Sequence, residues 1–171
     1  MLDRLMAWVL RPGVVAGLVL AQIGVGLAIA LNVLELMRVS GGYGLLDFEF
    51  GYDARRVAVI FDAYGEAGMS VFWRVQLLDL LNPALYALLG AALIYWLRQG
   101  SRWAWLVLGA AGLDYTENAV LAMLASGLPD VDAGLVGLGN VLSLAKHGVL
   151  GLSGGVVVFL AIQRVRRLRS P

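Results

Sequence analysis

Four long apolar stretches alternate with shorter polar segments along this chain. They cover approximately residues 13–37, 71–97, 103–125 and 133–162. A helix needs roughly 20 mostly apolar residues to cross a hydrocarbon core about 30 Å thick. Irregular backbone is costly in lipid, so each stretch is expected to be helical. The pattern predicts an all-α integral membrane four-helix bundle, built as a single membrane domain over residues 1–171.

The first stretch also shares features with a secretory signal. Arg4 and Arg11 precede the apolar run, and Ala28-Ile29-Ala30 is similar to a cleavage box. The apolar run continues well past this box, so we expect a retained helix.

The long outer loop between the first two spans, residues 38–70, is expected to contain a helix of its own. Asp53 can cap a helix that begins at Ala54. Apolar side chains then recur at helical spacing, at Val57, Ile60, Phe61 and Tyr64. We expect an amphipathic helix on the outer interface, ended or bent by Gly65 and Gly68. Two interpretations stay open: an element that packs over loop backbone, and a lid over a cavity.

Composition strengthens the membrane prediction and narrows the chemistry. Hydrophobic residues make up 60% of the chain and charged residues 15%, against about 45–50% and 25% in soluble domains. A net charge of +1 provides no field for capturing nucleic acid, and no such partner is expected. Cysteine is absent and His147 is the single histidine. We therefore predict no disulfide, no thiolate nucleophile, no metal site and no cofactor.

Arginines mark one side of the predicted bundle. They lie near the two chain ends and in the link between the second and third spans, at Arg4, Arg11, Arg98, Arg102, Arg164, Arg166, Arg167 and Arg169. The loop between the third and fourth spans carries only the acids Asp130 and Asp132. Since Lys and Arg are retained on the cytoplasmic side, we expect a multi-pass bacterial inner-membrane protein with both termini cytoplasmic.

Glycines are concentrated in three of the predicted spans. They are Gly17, Gly24, Gly26, Gly109, Gly112, Gly148, Gly151, Gly154 and Gly155. Small residues allow the backbones of membrane helices to approach closely. We interpret these positions as tight contacts within the bundle, with a homodimer through the glycine faces as the alternative.

Polar side chains recur within the predicted spans. They are Asn32 and Glu35 in the first, Asp79, Asn82 and Tyr86 in the second, Asp114, Glu117 and Asn118 in the third, and Asn140, Ser143 and either Lys146 or His147 in the fourth. Such groups are costly in a membrane and usually face the bundle interior or a wet cavity. At about 1.5 Å per residue, they are predicted to converge in one layer in the outer half of the bundle.

The chemistry of this layer follows from its charges. Lys146 is expected to pair with Asp114 or Glu117, which leaves at least one carboxyl without a basic partner. We predict Asp114 and Glu117 as an acid and a base, with Lys146 as the charge partner. The predicted ligand-binding residues are Asp79, Asn82, Tyr86, Asn118, Asn140, Asn32 and Glu35. Two other residues have structural predictions: Pro83 bends the second span, and His147 is a hydrogen-bonded packing residue.

We therefore expect a buried polar cavity that binds a lipid-like or small amphipathic ligand. Whether acid–base chemistry makes the protein an enzyme stays open. One alternative function is a small proton-coupled transporter or export subunit. A second is a non-catalytic membrane scaffold or assembly factor, in which the polar side chains only bond helices together.

An acid and a proline early in the second span accompany an Asp-Tyr-x-Glu-Asn-like stretch in the third and a lysine in the fourth. These features are Asp79, Pro83, residues 114–118 and Lys146. In them, and over most of its length, the chain resembles a family of small four-span bacterial inner-membrane proteins without an assigned activity. Its topology is also similar to that of the four-span sterol isomerase and sigma-2 receptor family, whose cavities use buried acids. No shared motif carries that second similarity, which is one of fold alone.

Overall fold

The structure is a computed structural model, and it describes residues 2–99 and 102–169. Over these residues the protein is helical and contains no strand. The helices are α1 (Leu2–Val9), α2 (Pro12–Val39), α3 (Ala54–Leu78), α4 (Asn82–Leu97), α5 (Ala104–Ser126) and α6 (Ala133–Arg169), with a 3₁₀ turn at Leu46–Phe48. The side chain of Arg169, one of the C-terminal arginines, lies outside the described residues. The all-α prediction is confirmed, and the short α1 was not predicted.

Three helical stretches of the described chain are long and apolar enough to cross a membrane. They are Pro12–Val39, Ala54–Leu97 taken as one stretch, and Ala133–Leu168. The large side chains along the middle of α2 are mostly exposed, at Leu20, Ile23, Leu27, Leu31 and Leu34. An apolar surface of this extent is rare on soluble proteins. Length and composition therefore indicate a membrane protein. α5 does not meet the same criterion, because its polar run at residues 114–118 lowers its hydropathy.

Two apolar clusters define the two ends of the molecule. One cluster joins α1, the end of α4, the start of α5 and the end of α6, through Met6, Ile94, Ala104 and Leu160. We call this the termini end, because α1 and the last part of α6 contribute to it. The other cluster joins the segment after α2 to α3, α5 and α6, through Leu46, Tyr64, Leu124 and Val136. We call this the loop end.

The helix predicted to begin at Ala54 begins there. Asp53 Oδ1 accepts a hydrogen bond of 2.7 Å from the backbone N–H of Arg56, which caps the first turn of α3. α3 does not end at Gly65 but changes direction there, with φ 55° and ψ −165°. The predicted interfacial helix is therefore the first part of a longer helix that continues into the second predicted span.

The second predicted span, residues 71–97, is wrong as one continuous helix. α3 ends at Leu78 and α4 starts at Asn82, so the chain breaks its helix over residues 79–81. Pro83 lies in the first turn of α4. Its missing N–H has no intrahelical partner to lose at that position. Pro83 therefore starts a helix here and does not bend one.

The interpretation of the glycines as tight contacts within the bundle is also wrong. A Cβ added at any of the nine glycines named above would meet no atom within 4 Å outside its local helix backbone. Close approaches lie elsewhere. A Cβ at Gly90 would lie 2.9 Å from Val107, and one at Gly139 would lie 2.6 Å from the Tyr52 hydroxyl. The glycine faces of α2 and α6 are therefore open surfaces of the chain.

Candidate functional site

A cavity of about 250 Å³ lies where α2, the 3₁₀ turn and α3 to α6 meet. Its polar lining consists of Asp47, Gln76, Asp79, Asn82, Tyr86, Asp114, Asn118, Lys146 and His147. Its apolar lining includes Ile29, Leu46, Phe72, Val75, Leu121 and Leu150. One space thus combines hydrocarbon walls with a concentrated group of carboxylates and amides.

Lys146 is the cation at the centre of this group, and it is the single lysine of the chain. Its Nζ lies 2.5 Å from Glu117 Oε2, 3.2 Å from Asp114 Oδ1 and 3.8 Å from Asp47 Oδ2. The side chains of Lys146, Asp114 and Glu117 are each at most 7% exposed. Buried charges persist only when they are paired, so this lysine and its acids form one interdependent unit.

A second set of hydrogen bonds joins α4, α5 and the break before α4. Asp79 accepts from Asn82 Nδ2 at 3.0 Å and from Asn118 Nδ2 at 2.8 Å. The Tyr86 hydroxyl donates to Asp114 Oδ2 at 3.0 Å, which links this set to the Lys146 unit. The helix break brings Asp79 and Asn82 together, because they follow one another across the turn between α3 and α4.

Asp47 reaches the site from outside the helical spans. It lies in the 3₁₀ turn of the loop between α2 and α3, and the Ser143 hydroxyl donates to its carbonyl at 3.1 Å. Asn140 holds the same loop from α6, donating to Tyr52 O at 2.7 Å and accepting from the Gly51 N–H at 3.0 Å. The loop is therefore bonded onto the bundle, and it places a carboxylate over the cavity.

Three buried carboxylate oxygens of the site have no hydrogen-bond donor within the described chain. They are Asp47 Oδ1, Glu117 Oε1 and Glu117 Oε2. Glu117 Oε2 lies 2.5 Å from Lys146 Nζ, so its contact is an ion pair. The group contains four carboxyls, on Asp47, Asp79, Asp114 and Glu117, around the one ammonium of Lys146. Buried acceptors without donors are unusual in folded proteins. The cavity is thus equipped to receive a hydrogen-bond donor or a cation.

The structure brings together most of the predicted site residues and separates others from them. Asp79, Asn82, Tyr86, Asp114, Asn118 and Lys146 line the cavity, whereas Glu117 lies behind Lys146 with no exposed surface. Asn140, Asn32 and Glu35 were predicted to join this layer and do not line it. Asn140 holds the loop, Asn32 donates to its own helix at Ala28 O, and Glu35 pairs with Arg74 at 3.1 Å on the surface.

Three polar lining residues came to the site without being predicted as part of it, namely Asp47, Gln76 and His147. His147 contacts Ser143 O through Nδ1 at 2.8 Å and packs edge-on against Phe50, as expected of a packing residue, yet it also lines the cavity. Asp47 was not predicted as a site residue. Its sequence signal is an acid flanked by Leu45, Leu46 and Phe48. That pattern indicates a loop acid drawn into an apolar surface.

Burial raises the pKa of Asp47 from its usual 3.8 to about 6. The ammonium group of Lys146 lowers this pKa, and the carboxyls of Glu117, Asp79 and Asp114 raise it further. The folded protein therefore holds this proton between pH 4 and 6, where the unfolded chain has released it. The contribution of the proton to stability is present in full below pH 4 and is lost as the pH rises to about 6.

We expect the melting temperature of the wild type, measured relative to that of Asp47→Asn, to fall as the pH is raised from 4 to 7. Asp62→Asn, which removes an exposed acid of α3, is the matched control and should follow the wild type. Thermal unfolding of the three proteins in one detergent provides the measurement. Parallel curves for the wild type and Asp47→Asn would contradict the assignment.

Comparison with family models, with curated proteins and with solved structures finds no match for this chain. Function is therefore inferred from the geometry of the cavity and its charges.

Proposed function

We propose that this protein crosses the cell inner membrane four times, with α5 as one of the spans and both termini cytoplasmic. α5 has 23 residues, which is about 35 Å at 1.5 Å per residue. Its polar groups Asp114, Glu117 and Asn118 are buried, while Trp105 and Met123 are exposed. An apolar outer face with a buried polar face is what a spanning helix of a polar cavity requires. The arginines at the termini end support a cytoplasmic location for that end.

Within this membrane bundle, the cavity binds a lipid-like or small amphipathic ligand. The observation that carries this proposal is the lining itself, in which hydrocarbon side chains and an excess of carboxylates face one space of about 250 Å³. The apolar part of a ligand would contact residues such as Ile29 and Leu150. Its polar end would donate a hydrogen bond to Asp47 Oδ1, which has no donor within the described chain.

Acid–base chemistry on such a ligand would involve Asp114 more directly than Glu117. Asp114 lines the cavity, and its two oxygens are held by Lys146 and the Tyr86 hydroxyl. Glu117 lies behind Lys146 and fixes its ammonium group. Asp114 would therefore be the carboxyl that faces the ligand, and Glu117 would be the buried counter-charge of Lys146.

Filling the cavity tests the binding proposal. We expect the purified wild type to retain a lipid or amphiphile that is enriched over the surrounding membrane, and Leu150→Trp to lose it. Leu150 lines the cavity, so an indole at this position would occupy the space of the ligand. Mass spectrometry of extracts from protein washed in detergent provides the measurement.

Leu144→Trp is the control, because Leu144 lies on the same helix, is 58% exposed and is not among the lining residues. It should retain the ligand at the level of the wild type. An extract without any enriched species, or equal retention by Leu150→Trp, would remove the proposal.

The helix break at residues 79–81 supports an alternative function, a small proton-coupled transporter. Interrupted helices near the middle of a bundle form substrate and ion sites in many transporters, and Asp79 lies at this one. The apolar cluster around Ala91 and Ile94 closes the termini end of a single chain. A proton-driven flux into proteoliposomes that Asp79→Asn abolishes would favour this alternative over ligand binding alone.

The open glycine faces support a second alternative, a scaffold or assembly factor, and they equally suit a homodimer. No Cβ at Gly17 or Gly151 would meet another part of the described chain. In a scaffold, leucine at these positions would abolish association in the membrane, and the cavity of the wild type would hold no enriched ligand. That combination separates a scaffold from a binding protein.

A further inference from the structure

A small depression lies at the termini end, between the end of α4 and the last turns of α6. It has a volume of about 40 Å³ and is lined by Leu97, Arg98, Leu160, Gln163, Arg164 and Arg167. Three of these six side chains carry a guanidinium, and none of the six carries an acid. We call it the arginine pocket. It lies at the opposite end of the molecule from the Asp47 loop and is independent of the cavity.

Arg164 is fixed in place within this pocket. Its guanidinium stacks 3.9 Å from the centroid of the Trp96 ring, and its Nη1 donates to the Trp96 carbonyl. Trp96 O is one of the last carbonyls of α4, so this contact also satisfies a group at the helix end. A guanidinium has five N–H donors. Most of those of Arg164 are therefore still available to an acceptor.

Arg98 and Arg167 bring two further positive charges to the same space. Within the described chain neither forms an ion pair, and both side chains are exposed. Arg164 and Arg167 are three residues apart on α6, so they share one helix face. Three like charges around one depression repel each other, and an anion placed among them relieves that repulsion.

The size and position of the pocket narrow the kind of anion. A cavity needs about 10–15 Å³ of volume to hold one water, so a pocket of about 40 Å³ accommodates the oxygens of a phosphate rather than a whole organic headgroup. Guanidinium groups bind phosphate oxygens through paired N–H bonds. Trp96 is 51% exposed beside the pocket, and tryptophan is enriched at the level of lipid headgroups.

We propose that the arginine pocket binds the phosphate of an anionic phospholipid headgroup, with Arg98, Arg164 and Arg167 as its ligands. The lipid tails would extend along the apolar surfaces of α4 and α6. A diffuse excess of arginine on the cytoplasmic side would also attract anionic lipids, but it would not need three arginines around one pocket. Arg4 and Arg11 lie at the same end without lining the pocket, so they represent the general positive charge alone.

Removing two arginines from the pocket, or two from outside it, changes the net charge equally and therefore provides a charge-matched experiment. Phosphatidylglycerol and phosphatidylcholine are titrated separately into the detergent-solubilised full chain, and bound lipid is counted by native mass spectrometry. We expect the wild type to prefer phosphatidylglycerol. Arg98→Gln with Arg167→Gln should weaken phosphatidylglycerol binding about tenfold or more relative to Arg4→Gln with Arg11→Gln, since hydrogen bonds to charged groups are lost only in the first pair.

Two further arms complete the test. Arg98→Lys with Arg167→Lys keeps the charge and loses the paired N–H geometry, and intermediate binding is expected. Inorganic phosphate and glycerol 3-phosphate are added as free competitors, and we expect neither to displace the lipid. Equal losses in the two glutamine variants would overturn the pocket and leave only a diffuse potential. Displacement by free phosphate would overturn the assignment to a lipid.

Discussion

Lys146→Met is expected to destabilise the protein by about 3–5 kcal/mol, because it removes the cation from a buried group and leaves its acids unpaired. Methionine has a similar length and fills the space of the lysine stem, so the loss is one of charge. The side chains concerned, Lys146, Asp114 and Glu117, are 7%, 6% and 0% exposed. The free energy of unfolding in detergent, from chemical denaturation followed by helical circular dichroism, provides the measurement.

Arg74→Met is the matched control for this change. Arg74 pairs with Glu35 at 3.1 Å, but the two side chains are 52% and 40% exposed. Exposed pairs contribute about 0–1 kcal/mol. Combining Lys146→Met with Asp114→Asn and Glu117→Gln should recover much of the lost stability, because the two acids nearest to the removed ammonium group are then neutral. Equal effects of Lys146→Met and Arg74→Met would show that the buried group does not depend on its cation.

The sequence predicts the helical segments well, because apolar length is a local property. α2, α5 and α6 begin within a residue or so of their predicted starts. Asp114, Glu117 and Asn118 share a buried face of α5, as their spacing of three and four residues requires. Lys146 meets both Asp114 and Glu117, as charge pairing predicts for the single deep base.

Depth along a helix predicts the level of a side chain, but it does not predict which face the helix turns inward. The level predicted for Asn32 and Glu35 along α2 agrees with the structure, yet Glu35 points outward to Arg74. Gln22 was not predicted as a site residue, but it donates to Asn82 Oδ1 at 2.9 Å and joins the network. The rotation of α2 is fixed by its contacts with α3 and α4, which are distant in sequence.

Asp47 illustrates the same limit for loops. Its contact with Lys146 joins residues 99 positions apart, and it depends on the bonds that Asn140 and Ser143 of α6 make to the loop backbone. Neither of these polar residues has a sequence signal for binding a loop, and Asn140 was therefore assigned to the ligand. The helix break beside Asp79 was missed because Pro83 is compatible with both a bend and a helix start.

Gly65→Ala is expected to cost about 1–3 kcal/mol, because α3 turns at Gly65 through a backbone conformation that is almost restricted to glycine. Its φ of 55° and ψ of −165° are unfavourable for a residue with a Cβ. An added Cβ would meet no atom within 4 Å, so a steric clash with neighbouring residues would not explain a loss. The cost would come from the backbone alone.

The turn at Gly65 matters for the site because the residues before it cover the loop end. The Tyr64 hydroxyl donates to Gly44 O at 2.5 Å, and the Tyr64 ring packs in the cluster that contains Leu46, next to Asp47. A strained turn would loosen this contact before it affected α5 or α6. In Gly65→Ala we therefore expect hydrogen exchange of the amides at residues 44–64 to accelerate, with lower unfolding stability. Gly26→Ala, within α2 and with equal space around it, should change neither measurement beyond the small gain that alanine brings to a helix. An unchanged Gly65→Ala protein would mean that α3 does not need this backbone conformation to hold the loop over the cavity.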